Sequence, residues 1–170
     1  MNLREKIRNI PDFPQQGIQF KDITTLLKDG KAFRLAIDML AAPYKDKNID
    51  IVIGPEARGF AIGAPVAYVL EAGFVPIRKP GKLPAETIKY EYSLEYGKDA
   101  LEIHKDAIEA GSRVLIVDDL LATGGTTRAT VNMVEQLGGR VIGLAFLIEL
   151  SFLNGRQVIA GYDITSLVEY

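Results

Sequence analysis

The run Val114-Leu115-Ile116-Val117-Asp118-Asp119-Leu120-Leu121-Ala122-Thr123-Gly124-Gly125-Thr126-Thr127 restricts the fold more than any other part of the chain. Four consecutive apolar residues, all β-branched or leucine, read as a strand covered on both faces. Two adjacent carboxylates follow where that strand is expected to leave the sheet, and then a short Thr/Gly loop. Beyond the loop, Thr127, Thr130, Val131, Val134 and Leu137 recur with helical period, and Gly138-Gly139 closes the helix. In an open α/β sheet, ligands bind beyond the carboxyl ends of the strands. Both acids and the loop therefore belong to a candidate site.

Gly124 and Gly125 let the backbone turn tightly and come close to a ligand, and the helix N-terminus presents N–H groups that favour an anion such as phosphate. The hydroxyls of Thr123, Thr126 and Thr127 add donors. Asp118 and Asp119 would repel a phosphate, so they face another part of the ligand: sugar hydroxyls or a cation. The plainer alternative is a turn whose glycines serve only the turn. Two things favour the phosphate reading. Paired acids at the end of a buried strand need a partner, and three hydroxyls in five positions exceed what a turn requires. The loop is neither of two common phosphate motifs: no lysine follows the second glycine, and no G-x-G-x-x-G occurs.

Elsewhere, Asn2 is placed to cap a first short helix with Leu3, Ile7 and Ile10 on one face, stopped by Pro11. Residues Pro14 to Thr25 read as irregular. Lys31 to Tyr44 is an amphipathic helix with Phe33, Ala36, Ile37, Leu40 and Tyr44 in one stripe. Strands are expected at Ile49 to Ile53, Phe74 to Arg78 and Val141 to Ile148, with a small-residue helix from Phe60 to Leu70. Lys79 to Lys105 is charged and tyrosine-rich, with the short alternation of a protruding hairpin. The last twenty residues give no clear order. Strands alternating with helices imply right-handed crossovers and a doubly wound, mainly parallel α/β sheet flanked by helices.

The loop Gly54 to Gly59 repeats the strand–loop–helix layout and carries Arg58. That residue reads as a surface arginine beside a turn, or as a multidentate phosphate ligand. Arg78, Lys79 and Lys82 cluster around Pro80-Gly81, as a solvated charge run or as a cationic segment closing over a leaving anion.

Composition narrows the function. A chain of 170 residues suits one domain, here 1–170, and 48% apolar with 25% charged residues is that of a soluble globule. A net charge of −2 argues against a general nucleic-acid binder. No apolar stretch is long enough for a membrane and no signal-peptide core is present at the N-terminus. The absence of cysteine excludes disulfides and thiolate metal sites and is compatible with the cytoplasm. The single histidine, His104, excludes a histidine pair and reads as structural or solvated.

The apolar strand, two acids and small-residue Thr/Gly loop resemble the phosphoribosyl diphosphate (PRPP) signature of type I phosphoribosyltransferases. That resemblance implies that Ala122, Thr123, Gly124, Gly125, Thr126 and Thr127 hold the 5′-phosphate. It places Asp118 and Asp119 by the ribose 2′- and 3′-hydroxyls. It gives the pyrophosphate to Ala57, Arg58 and Gly59, with Arg78, Lys79 and Lys82. Arg78-Lys79-Pro80-Gly81-Lys82-Leu83-Pro84, Tyr92-Ser93-Leu94-Glu95-Tyr96-Gly97 and Phe20-Lys21-Asp22-Ile23-Thr24 are similar to the adenine phosphoribosyltransferases in particular. With the phosphate loop these blocks run from about Gly17 to Leu150. The resemblance then implies a mobile lid over about 79–105 with Glu95 and Tyr96 as catalytic groups, joined by Arg58. It also implies an N-terminal hood over about 1–30, with Gln19, Phe20 and Lys21 at the base. Lys21 stands where many relatives carry arginine.

The expected reaction is adenine plus PRPP giving AMP and pyrophosphate, with Mg²⁺ held mainly by PRPP near Asp118 and Asp119, in a cytoplasmic homodimer. Two alternatives remain open: a phosphoribosyltransferase for xanthine, hypoxanthine or guanine, and a PRPP-sensing regulator. A regulator should carry a basic face or an added DNA-binding domain, and the chain shows neither.

Overall fold

The computed structural model describes residues 1–93 and 97–170. Asn2 caps only a 3-10 turn, Leu3–Lys6, by accepting the Arg4 N–H. The expected helix goes no further, because β1 (Arg8–Pro11) is extended and pairs antiparallel with β2 (Gln19–Asp22). The Arg8 guanidinium meets the Asp22 carboxylate at 2.5 Å across that pair. The segment read as irregular thus contributes a strand and a single helical turn, α1 (Thr24–Leu27). This small hairpin lies in the segment expected as the hood.

Asp29 then caps α2 (Gly30–Ala41), accepting the Lys31 and Ala32 N–H groups at 3.2 Å. The remainder alternates: β3 (Ile51–Pro55), α3 (Arg58–Val69) and β4 (Gly73–Ile77), then the hairpin β5 (Thr87–Ser93) and β6 (Lys98–His104). It continues as β7 (Arg113–Leu121), α4 (Gly125–Gln136), β8 (Arg140–Glu149), α5 (Gly155–Val158) and β9 (Ile164–Glu169). Five strands form one parallel sheet in the order β4-β3-β7-β8-β9, with β7 at its centre. The last twenty residues, which show no clear pattern in sequence, thus form α5 and the edge strand β9. Among the described residues no helix is long and apolar enough to cross a membrane.

Strand periodicity divides the core into two layers. Leu115, Val117, Ala145 and Leu147 join the layer under α2 and α3, while Val114, Ile116, Leu144 and Phe146 join the layer under α4. Each of these valine, leucine, isoleucine and phenylalanine side chains stabilises the fold by about 1.5–3 kcal/mol when fully buried. Both faces of β7 are covered, as its sequence required.

One expectation needs correction. β7 does not end at Val117: it stays paired with β8 through Leu121, and Asp118 lies opposite Phe146. Apolar β8 runs on to Glu149 and keeps offering backbone partners, so the acids sit within the strand rather than past it.

The β5–β6 hairpin matches the expected alternation over 79–105. It is fastened to the sheet by a bridge between Arg78 and Glu102. It also touches α4, where the Asn132 side-chain amide donates to the Tyr90 hydroxyl at 2.7 Å.

Candidate active site

A cavity of about 450 Å³ opens at the carboxyl edge of the sheet. Glu56, Ala57 and Arg58 form one wall, Asp118 and Asp119 the floor, and Ala122 and Thr126 the other wall.

The Thr/Gly loop turns into α4 through Gly124, whose φ is +88°, a conformation that favours glycine. A Cβ there would lie 2.8 Å from the Gly155 carbonyl and 3.0 Å from Val158 Cβ. The short helix α5 therefore backs the loop and leaves no room behind it. The next three residues, Gly125, Thr126 and Thr127, begin α4, so helix geometry gives their N–H groups no intrahelical acceptor. Thr123 is exposed, Thr126 half-buried and Thr127 buried. The loop thus presents main-chain donors and hydroxyls with no charged side chain, as an anion-binding helix end requires.

On the opposite wall Gly59 has a packing role: a Cβ would fall 2.7 Å from Pro55 Cδ and 3.0 Å from Asp118 Oδ1. Its absence lets the first turn of α3 close on the acids. Arg58, the first residue of α3, puts Nε 2.6 Å from Asp119 Oδ2 and its guanidinium over the Phe20 ring at 5.0 Å. A residue of β2 is thereby joined to the site. Asp118 differs from its neighbour. Its Oδ1 accepts the Asp119 N–H at 2.8 Å, and among the described residues it has no cationic partner. Burial pushes its carboxyl well above the usual carboxylate range, and the adjacent Asp119 charge pushes it further. One acid is held in an ion pair with Arg58 and the other is not.

The expected cations converge on carboxylates. Glu56 accepts the Lys79 N–H at 2.6 Å and the Lys82 ammonium at 2.5 Å, with Arg78 Nε at 3.4 Å. Burial alone would raise the Glu56 carboxyl, but these donors outweigh it and hold the group below its ordinary value. The Lys79 ammonium pairs with Asp99, which also accepts the Tyr92 hydroxyl at 3.2 Å. Arg78 Nε is buried without a hydrogen-bond acceptor.

On β2, Phe20 faces Arg58, and strand alternation turns Gln19 and Lys21 the other way. Gln19 accepts from the Asn9 amide at 2.6 Å; Lys21 donates to Asn9 Oδ1 at 2.9 Å and lies 4.0 Å from the Tyr170 ring centroid. The structure brings Phe20 against Arg58, which lines the cavity, but not these two. Glu95 and Tyr96 lie outside the described residues. His104 accepts the Ala85 N–H at 3.3 Å, in keeping with a structural role.

Sequence reasoning passed over Glu56, Tyr92, Asp99 and the α5 backing. Glu56 alone had a local signal, as the one acid inside the Gly54–Gly59 loop beside Arg58. The others depend on residues distant in the chain.

The chain belongs to the phosphoribosyltransferases: a model of the phosphoribosyl transferase domain matches residues 23–158, which include the cavity wall, both acids and the Thr/Gly loop. Within that family its relatives are adenine phosphoribosyltransferases. The one from Alkaliphilus metalliredigens is 65% identical over 170 residues, covering the whole of both chains. The crystal structure of the Thermoanaerobacter pseudethanolicus enzyme superposes with a TM-score of 0.96 at 60% identity, over 99% of this chain and 98% of that one. The Saccharomyces cerevisiae enzyme, complexed with adenine and an imino-altritol bisphosphate, superposes at 0.89 and 41% identity, over 95% and 94%.

Proposed function

We propose that this protein transfers the 5-phosphoribosyl group of PRPP to adenine, releasing AMP and pyrophosphate. One observation carries the reading. A single cavity holds an uncharged anion-binding helix end, an acid outside any ion pair and an arginine, in the order of a phosphate, a sugar diol and a diphosphate. The full-length similarity to adenine phosphoribosyltransferases supports the choice of base.

In this reading the N–H groups of Gly125, Thr126 and Thr127, with the Thr123 and Thr126 hydroxyls, hold the 5′-phosphate. Asp118 and Asp119 accept from the ribose hydroxyls. Arg58, Arg78, Lys79 and Lys82 hold the pyrophosphate, and Phe20 offers the base an aromatic face. Among the described residues no three acidic or histidine side chains form a metal cage. A magnesium ion would be held mainly by the PRPP oxygens, with Asp118 and Asp119 as the protein acids near it, and would neutralise the leaving pyrophosphate. The adenine nitrogen forms its bond to the anomeric carbon from one face as the carbon–oxygen bond to pyrophosphate breaks on the other, and the leaving group takes the electron pair. The floor carboxylates stabilise the positive charge that develops on the sugar. Glu95 handles the proton of the base.

Pyrophosphate release is measured with PRPP and, separately, adenine, hypoxanthine, guanine and xanthine. Release with adenine alone is expected; turnover with another base in its place overturns the assignment. Glu95→Gln should lower kcat by about 10²–10⁴-fold and leave the KM for PRPP nearly unchanged. Undiminished turnover would remove Glu95 from the mechanism. We extend the reading to a cytoplasmic homodimer on the family resemblance alone, and light scattering tests the assembly.

A further inference from the structure

The hairpin and the phosphate loop are joined by a chain of polar contacts that the reaction as written does not use. Tyr92 on β5 and Asp99 on β6 are directly paired across the hairpin. The Tyr92 hydroxyl lies 3.2 Å from Asp99 Oδ2 and 3.3 Å from Thr126 Oγ1. The same Asp99 oxygen pairs with the Lys79 ammonium. The Tyr92 ring covers the helix end: a Cβ on Gly125 would meet two of its carbons at 3.7 Å.

Proton bookkeeping fixes the direction of these bonds. An ionised carboxylate only accepts, so Tyr92 gives its single hydroxyl proton to Asp99. Tyr92 can then only accept from Thr126, and the Thr126 hydroxyl proton points at the tyrosine. The chain reads Thr126 to Tyr92 to Asp99, with Lys79 donating from the far side. One end is a donor assigned to the 5′-phosphate. The other is a cation assigned to the pyrophosphate.

We propose that Tyr92 and Asp99 are positioning residues that couple the two anion subsites, holding the Thr126 hydroxyl and Lys79 back together while the cavity is empty and releasing them together when it fills. The proposal rests on the PRPP reading of the site. A phosphate on the loop takes the Thr126 proton and leaves Tyr92 without its donor, which weakens the hold of the hairpin on that wall. Asp99 and Lys79 lie on the same hairpin contact and are thereby easier to separate. A diphosphate that takes Lys79 loosens the pair from the other end. Linkage requires the coupling to be reciprocal, and couplings of this kind commonly amount to about 5–150-fold in affinity.

The test measures pyrophosphate binding with and without saturating ribose 5-phosphate, by calorimetry on the whole protein at fixed magnesium and salt. Like-charge repulsion between the ligands is common to all variants, so the readout is the ratio of the two affinities compared across variants. Tyr92→Phe keeps the ring over Gly125 and removes only the relay. It should reduce the benefit that ribose 5-phosphate gives to pyrophosphate by about fivefold or more. Asp99→Asn removes the charge that holds Lys79. It should tighten pyrophosphate binding severalfold in the absence of ribose 5-phosphate, a direction that loss of a merely structural residue would not produce. If both ligands bind and the ratio is the same in wild type and Tyr92→Phe, the coupling is overturned and the site assignment stands. If ribose 5-phosphate does not bind the wild type at all, the phosphate assignment falls and the coupling with it.

Discussion

Between Ala122 and Thr127 the phosphate loop carries no side-chain cation, whereas the facing wall carries Arg58, Arg78, Lys79 and Lys82, each set against a carboxylate of the protein itself. The loop relies on main-chain N–H groups fixed by a left-handed glycine and braced by α5. The wall relies on side-chain charges neutralised by Asp119, Glu56 and Asp99. A preorganised end can bind an anion without rearranging. The other end must exchange one anionic partner for another. That difference suits a substrate whose monoester stays bound through the reaction while its diphosphate departs.

The comparison breaks most severely at the rigid end. Gly124→Val forces a β-branched side chain into φ +88° and against the Gly155 carbonyl. The KM for PRPP should rise by about 10²-fold or more, the scale of a misplaced binding group, with a lower melting temperature. Steady-state kinetics and thermal denaturation check both parts. A lower melting temperature with an unchanged KM would show that the loop is a scaffold and not a phosphate site.

At the exchanging end, Arg58→Lys keeps the charge but loses the planar fork that meets Asp119 at 2.6 Å and covers Phe20. A fall of about 10–100-fold in kcat/KM is expected, since a point charge cannot make both contacts. Full activity in the lysine variant would assign Arg58 to long-range charge alone.

How far the sequence reached follows the same division. The rigid end was legible because everything that makes it sits in one continuous stretch: a β-branched run, two acids, glycines and hydroxyls. The exchanging end was legible only for its cations. Glu56 is 23 residues from Lys79, and Asp99 is 20 residues from it, so their pairing exists only once β4 and the hairpin are in place. Leu3, Ile7 and Ile10 fall at helical spacing, yet Arg8–Pro11 is a strand because of its pairing with Gln19–Asp22, which is not local. The polarity of the two acids suggests an exit from the sheet, yet β8 continues to pair through this stretch to Leu121.

The two acids on the floor offer a sharper contrast of the same kind. Burial and the Asp119 charge raise the Asp118 carboxyl, so its ionisation opposes folding: the unfolded chain loses that proton first as pH rises above the ordinary carboxylate range. Asp118→Asn removes this opposition. Its melting temperature should exceed that of the wild type near pH 7, by about 2–4 °C for each kcal/mol recovered. The advantage should vanish below about pH 4, where the group is protonated in both states. PRPP turnover should fall roughly tenfold, since a charge-assisted acceptor for a ribose hydroxyl is lost. A gap between variant and wild type no larger at pH 7 than at pH 4 would mean that the nearby Arg58 charge already offsets burial of the acid in the empty protein.

The smallest effect expected tests whether the wall carboxylates compete with substrate or merely brace the fold. Glu56→Gln retains an oxygen for the Lys79 N–H at 2.6 Å, so the backbone near Lys79 keeps its acceptor. It removes the charge that holds Lys82, whose side chain is 46% exposed and free to swing once released. If Glu56 occupies the place of a pyrophosphate oxygen, its neutralisation leaves one more cation available. The KM for PRPP should then fall by about two- to fivefold, with pyrophosphate a correspondingly stronger product inhibitor, the scale of an exposed ion pair in water. Raising the salt concentration should shrink that gain, because the freed ammonium is screened. A bracing role predicts the opposite sign: the Arg78–Lys82 segment loses its anchor, the cations disperse and the KM rises. The direction of one kinetic constant therefore decides between exchange and bracing on this wall, and it does so without disturbing the glycine-built end across the cavity.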